Sequence, residues 1–174
     1  FILMLFLKIG CGWTPTMAGL MIVPQAVAMV LMKFLIDRIL KRYGYRRTLF
    51  VNTALATILL ACFAWFDAAT PWWAIASLMF AYGFVMSLQY TAMNTLAFVD
   101  LPPGRAAQAS SLTSAVQYLV ISFGIALSSW LLAVFLNGHH HDPAAYVRGF
   151  RAAVLVMAAL SLVAVYVFTR LRHD

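Results

Sequence analysis

Five stretches of about 20 mostly apolar residues, separated by short loops, limit what this chain can become more than any other feature. At about 1.5 Å per residue, such a stretch crosses roughly 30 Å of hydrocarbon as a helix. The spans read as 17–40, 48–66, 72–94, 111–136 and 148–169. A truncated apolar stub at 1–9 precedes them and breaks at Gly10, Gly12 and Pro15. No strand-like alternation lasts long enough for a barrel. The expectation is an all-α fold, a polytopic transmembrane helix bundle with five full spans plus a truncated one.

Composition agrees. Hydrophobic residues make up 64% of the 174 and charged residues 10%, against roughly half and a quarter in a soluble domain. So few polar residues cannot cover a water-exposed surface, and so many apolar ones exclude a disordered chain. Twelve Lys and Arg against five Asp leave a net charge of +7. A basic balance can signal nucleic acid. Here the cations sit at the ends of apolar runs, and no basic stripe carries interleaved exposed aromatics, so the expected partner is the lipid bilayer and not nucleic acid. The chain opens on Phe1 with no basic region before its apolar run and no small-residue cleavage site after it. That reads as an internal fragment with its first helix cut, not as a signal peptide. Cys11 lies beside a short loop and Cys62 inside a span, so no disulfide is expected.

Charge sets the orientation. Lys41, Arg42, Arg46 and Arg47 crowd the first complete loop and place it on the cytoplasmic side. The loop at 67–71 is then outside, 100–105 inside, 137–146 outside, and the tail with Arg170 and Arg172 inside. Arg148 and Arg151 fall on the outer side against the rule and are expected to snorkel to the headgroups. Lys8, at the end of the stub, is expected to snorkel as well.

Polar residues inside the spans are the candidates for function. They are Gln25, Asn52, Gln89, Tyr90, Asn94, Gln117 and Tyr118. Gln89, Tyr90 and Asn94 are close enough in sequence to share a broad helix face. Amides and phenols suit a water-filled cavity holding a partly apolar ligand, because they orient it without demanding a counter-charge. They equally suit hydrogen bonding from helix to helix, and the residues alone leave both readings open. Pro24 frees a carbonyl within a span and is expected to kink it against protein. Gly124, Ala126, Ser128 and Ser129 form a small-residue patch expected to let helices pack closely. No carboxylate lies in the middle of a full span. Asp37 sits near the cytoplasmic end, four residues from both Lys33 and Lys41, where an ion pair along one helix face is expected. His139, His140 and His141 are consecutive on a loop, a spacing that does not suit one metal ion, so neither metal nor cofactor is expected.

The segment Lys41-Arg42-Tyr43-Gly44-Tyr45-Arg46-Arg47 resembles the signature loop of the major facilitator superfamily, Gly-x-Leu-x-Asp-Arg-x-Gly-x-Arg-Arg. Arg42, Gly44, Arg46 and Arg47 match; Asp37 stands at the first glycine and Lys41 at the aspartate. Ala18-Gly19-Leu20 with Pro24, Gly83 to Tyr90, Met93-Asn94-Thr95-Leu96, Asp100-Leu101-Pro102, Ala109 to Leu112, Gln117 and Phe123 to Ala126 are similar to the fourteen-helix drug:proton antiporters of the EmrB/QacA type. The resemblance covers nearly the whole chain. It implies the C-terminal half of a major facilitator fold in a bacterial inner membrane. It also implies alternating access, with protons as coupling ion driving export of a small-molecule substrate, and an N-terminal half that completes the cavity and carries the coupling acids. On that reading Gln25, Gln89, Tyr90, Asn94, Gln117 and Tyr118 line the substrate cavity. The cytoplasmic signature comprises Asp37, Lys41, Arg42, Gly44, Arg46 and Arg47.

Two other classes make different demands on the sequence. An intramembrane enzyme needs a buried nucleophile and base, or a metal set. Histidine occurs only in the outer loop and the tail, so no such constellation can be drawn. A non-transporting anchor or receptor would carry spans without aligned polar groups, joined to a soluble output domain.

Overall fold

The computed structural model describes residues 2–67, 69–99, 106–136 and 143–170, all helical apart from short connections. α1 (Ile2–Leu5) widens into a π-helical turn (Phe6–Gly10). α2 (Pro15–Leu20) starts where Thr14 caps it, its hydroxyl accepting from the Met17 N–H at 3.4 Å, with Pro15 supplying a preset φ at the first helical position. α3 (Ile22–Tyr43) continues from α2 after a break at Met21. Pro24 lies three residues into α3 and offers no N–H to the carbonyl of Leu20, which is where the α-helical ladder is interrupted. α4 (Tyr45–Cys62) ends in a 3₁₀ turn (Phe63–Trp65), and α5 (Trp72–Val99), α6 (Ala106–Leu136) and α7 (Pro143–Arg170) complete the bundle. Among the described residues, five helical stretches are long and apolar enough to cross a membrane: Pro15–Tyr43, Arg47–Trp65, Trp72–Thr95, Ala107–Leu136 and Ala144–Val163. The inner loop at 100–105, the outer loop with His139, His140 and His141, and the tail with Arg172 lie outside the described residues.

Two apolar cores hold the helices. At the end of the bundle opposite Gly44, Phe6 and Leu7 of the π turn pack with Phe63, Ile75, Phe150 and Val154. Phe6 and Phe150 stack with ring centroids 4.3 Å apart. At the Gly44 end, Met32, Ile36 and Leu40 of α3 meet Leu49, Leu88 and Ala92. Ala28, Met32, Ile36 and Leu40 recur every fourth residue and are the buried residues of α3. Its other apolar side chains, Val27, Val30, Leu31, Phe34 and Leu35 among them, are exposed. Water would not tolerate so large an apolar surface.

Helix α3 runs closest to α5 at Gly83. A Cβ built there would lie 2.5 Å from the Gln25 carbonyl oxygen and 3.0 Å from both the Gln25 Cα and the Ala28 Cβ. This backbone-on-backbone approach corrects the expectation for Gly124, whose added Cβ meets nothing within 4 Å. The small residue that brings helices together is Gly83, and Gly124 instead borders open space.

The cytoplasmic signature also differs from the loop expected. Helix α3 persists through Tyr43 and α4 begins at Tyr45, leaving Gly44 alone as the turn. Its φ of 75° is a conformation glycine adopts without a Cβ penalty, and its N–H caps the Leu40 carbonyl at 3.0 Å.

Candidate functional site

The polar residues of the spans separate into three groups. The first is interior. Asn52 of α4 donates through Nδ2 to the Val85 carbonyl and to Gln89 Oε1, both at 2.8 Å. Gln89 Nε2 in turn donates to Thr53 Oγ1 at 3.0 Å. Thr57, one turn on, bonds the Thr53 carbonyl and meets Ser161 Oγ of α7 at 2.9 Å. Amide and hydroxyl groups thus tie α4 to α5 and α7. Gln89 makes helix-to-helix hydrogen bonds here, the second of the two readings its sequence position allowed.

The second group lies on the other side of α5. Gln117 Nε2 of α6 donates to Asn94 Oδ1 at 2.8 Å, and both residues are half-buried. Beside them in sequence, Tyr90 is 42% exposed and Tyr118 72%. Gln89, Tyr90 and Asn94 therefore do not act as one face. Gln89 turns to α4, Asn94 to α6, and Tyr90 outward. Each is a turn or a fraction of a turn from the next, and only the partner helices reveal the difference.

The third group surrounds a cavity of about 410 Å³. Gln25 lies on its wall, as do Tyr82 of α5 and Gly124 and Ser128 of α6. The rest is apolar, with Phe63, Met79, Phe150, Val154 and Met157 prominent. Ser128 donates to the Ile125 carbonyl at 2.9 Å. Tyr82 packs edge-on against Phe63 at 5.8 Å. Neither the Gln25 amide nor the Tyr82 hydroxyl hydrogen-bonds another described residue. Sequence reasoning missed Tyr82, because it sits in Phe80-Ala81-Tyr82-Gly83-Phe84 and an aromatic run reads as packing.

Charged residues gather at the two ends. Lys41 and Arg42 close α3, where the helix dipole favours cations. Arg46 and Arg47 open α4, where it opposes them. Two of the four thus sit at an electrostatic cost to their helix, which orientation by the charge rule explains better than helix stability does. The Arg42 guanidinium lies 5.6 Å from the Tyr43 ring centroid. Asp37 makes no ion pair with Lys33 or Lys41, contrary to expectation. All three side chains are exposed, and fixing long side chains in water returns little. Lys8 is also exposed.

At the end opposite Gly44, Arg151 is engaged within the protein. It pairs with Asp67 at 2.8 Å and donates through Nε to the Phe66 carbonyl at 3.3 Å, joining α7 to the end of the 3₁₀ turn. The expected snorkelling overlooked this acceptor, which belongs to a loop distant in sequence. Cys11 and Cys62 are free thiols. Burial, and then the Asp67 carboxylate, push the Cys11 thiol up from its ordinary range. No group of three or more potential metal ligands occurs among the described residues.

Comparison with known proteins adds an independent finding. The profile of the Major Facilitator Superfamily matches residues 1–174. MdtD of Klebsiella pneumoniae (strain 342), a protein named for multidrug resistance, is 33% identical over 171 residues, 97% of this chain and 36% of that protein. The protein of the same name from Pectobacterium carotovorum subsp. carotovorum (strain PC1) is 38% identical over 136 residues, 78% of this chain and 29% of that one. That of Serratia proteamaculans (strain 568) is 32% identical over 174 residues, 98% and 36% respectively. The chain thus spans about a third of the length of these relatives. No solved structure matches it.

Proposed function

Because the chain belongs to the Major Facilitator Superfamily, we propose that it forms the C-terminal bundle of a longer secondary transporter that exports small amphipathic compounds across a bacterial inner membrane. The family match over the whole chain, joined by relatives named for multidrug resistance, carries this reading. In such transporters two bundles rock about a site between them near the midplane. The half-buried Asn94–Gln117 pair, with Tyr90 and Tyr118 exposed alongside, is the surface this bundle offers to that pathway. These groups orient a ligand without fixing its charge, which suits a broad substrate range. Gln89 serves the pathway indirectly, by holding α5 against α4.

Protons are the proposed coupling ion. Asp37 is the one carboxylate within the five spans of this chain, and it lies among cations at the inner end. The coupling acid is accordingly assigned to the part of the relatives' length that this chain does not span. Arg42 and Arg47, at the inner turn around Gly44, would meet anionic headgroups and keep the bundle's orientation.

The test is transport by the complete protein in proteoliposomes. An inward proton gradient should drive accumulation of amphipathic dyes, rhodamine 6G among them. Asn94→Ala and Gln117→Ala should slow it severalfold without loss of folded protein. Absence of gradient-dependent movement across a panel of neutral and cationic dyes would overturn the reading.

A further inference from the structure

Among the described residues, one buried side-chain atom lacks a hydrogen-bond partner, the hydroxyl oxygen of Thr48. Thr48 is 6% exposed and lies in the turn after Gly44. The other two threonines of α4 spend their hydroxyls on the carbonyl one turn back, Thr53 on Leu49 at 2.7 Å and Thr57 on Thr53 at 2.9 Å. For Thr48 that carbonyl belongs to Gly44. It receives the Thr48 N–H at 3.2 Å, and not the hydroxyl. A buried hydroxyl with no partner is costly, so something else is expected to meet it.

The surroundings say what is missing. Tyr45, Arg46 and Arg47 come before the first ladder bond of α4, so their N–H groups have no acceptor within the helix. The N-cap is Gly44, which has no side chain to meet them. The Cα–Cβ bond of a helical residue tilts towards the N-terminus, which sets the Thr48 hydroxyl over this same turn. These groups can all donate, at the positive end of the helix dipole. The sequence adds cations there and no carboxylate. Arg47 is exposed in the turn, and Lys41 and Arg42 close the preceding helix. No Asp or Glu occurs between Asp37 and Asp67, and Lys41 stands where the signature has its aspartate. Room is present as well, since a Cβ built at Gly44 would meet nothing within 4 Å. A cation would be repelled here, and a water would leave the positive charge unanswered. An anion answers both the charge and the donors.

We propose that the Gly44 turn binds a phosphate group, whose oxygens accept from the first N–H groups of α4 and from the Thr48 hydroxyl, with Arg42 and Arg47 supplying the countercharge. The proposal deepens the assignment of these arginines to anionic headgroups and rests on it for the arginines' part. Arginines on a surface attract any anion. The buried hydroxyl is what fixes one oxygen at one place and makes the turn a site. Two sources share this chemistry, a phosphatidylglycerol headgroup and inorganic phosphate, and the test separates them.

The complete transporter, purified in nonionic detergent, is titrated calorimetrically with dihexanoyl phosphatidylglycerol, with dihexanoyl phosphatidylcholine and with inorganic phosphate. Saturable binding of phosphatidylglycerol is expected, and it should weaken as salt is raised. Thr48→Val keeps the shape, removes the hydroxyl and should weaken binding at least about tenfold, the effect of one hydrogen bond to a charged group. Without ligand this variant should unfold no more readily than the parent, because it exchanges an unmet hydroxyl for a methyl group. Arg47→Gln should weaken binding severalfold and flatten its salt dependence. Phosphatidylglycerol binding that Thr48→Val weakens, with no saturation by inorganic phosphate, supports the site with a lipid headgroup in it. Saturation by inorganic phosphate that Thr48→Val weakens supports the site with free phosphate in it. Affinity unchanged in Thr48→Val overturns the site, and so does the absence of saturable binding by either phosphate source. Phosphatidylcholine binding as tightly as phosphatidylglycerol overturns it too, by assigning the affinity to the acyl chains. Dye transport under a proton gradient has its own assay, so a failure here leaves the transporter reading standing.

Discussion

Replacing Gly83 by alanine tests the packing of the bundle with a single methyl group. The new Cβ would lie 2.5 Å from the Gln25 carbonyl oxygen, about 0.8 Å inside the roughly 3.3 Å of an ordinary close C···O contact. The obstacle is backbone, so no rotamer change relieves it, and α3 and α5 must move apart. Overpacking of this kind costs about 1–3 kcal/mol. The helix itself gains up to about 1 kcal/mol when glycine becomes alanine. With a rigid obstacle the upper part of the overpacking range applies, and a net loss of about 2 kcal/mol is expected. Gly124→Ala is the matched control, since its Cβ meets nothing within 4 Å. It should fall within about 1 kcal/mol of the parent, on the stabilising side. The assay is reversible unfolding of the complete protein in mixed micelles, followed by helical circular dichroism against SDS. Equal effects of the two substitutions, or a neutral Gly83→Ala, would refute the close α3–α5 approach.

Other outcomes follow from the hydrogen bonds and charges. Asn52→Ala removes bonds to the Val85 carbonyl and Gln89, worth together about 1 kcal/mol at the membrane average of roughly 0.6 each. A double-mutant cycle with Gln89→Ala should show coupling, and strict additivity in unfolding would deny the bond. Arg151→Ala should cost less than about 1 kcal/mol, since Asp67 and Arg151 are 61% and 38% exposed and solvent screens them; a larger loss would place the pair in a drier setting. The raised Cys11 thiol holds less thiolate at neutral pH than an ordinary cysteine, so its maleimide labelling should keep rising with pH beyond the usual thiol range. Asp67→Asn removes one raising influence and should speed labelling at fixed pH by about two- to threefold, whereas slower labelling would reverse the assigned sign.

The sequence makes the spans legible because twenty apolar residues are a local property, counted along the chain. Their partners are not local. Gly83 and Gly124 look alike in sequence, and each sits in an apolar run. One touches the Gln25 carbonyl and the other faces a cavity, a difference decided by which helix arrives opposite. Gln89 and Gln117 are likewise equivalent as residue types. Asn52 and Thr53 claim the first, while Asn94 claims the second beside exposed phenols. Tyr82 is hidden by its aromatic neighbours in sequence, and only the arrival of other helices places it on the cavity wall. Arg151 looked like an outer-headgroup cation until the Phe66 carbonyl and Asp67 were brought to it. At the inner turn the opposite holds. Gly44 between two helical runs is readable from the signature spacing, although the turn shrinks to that one residue.

The central claim is that the α5–α6 surface carrying Asn94 and Gln117 faces an aqueous transport pathway, whereas the exposed face of α3 meets lipid. The most direct measurement is labelling of single cysteines in the complete transporter, in membranes, by a membrane-impermeant thiol reagent with Cys11 and Cys62 replaced by serine. Tyr118→Cys should label readily, and Phe34→Cys, 77% exposed in the structure, should not. Labelling at Phe34 together with protection at Tyr118 would put lipid where the pathway is proposed and contradict the account.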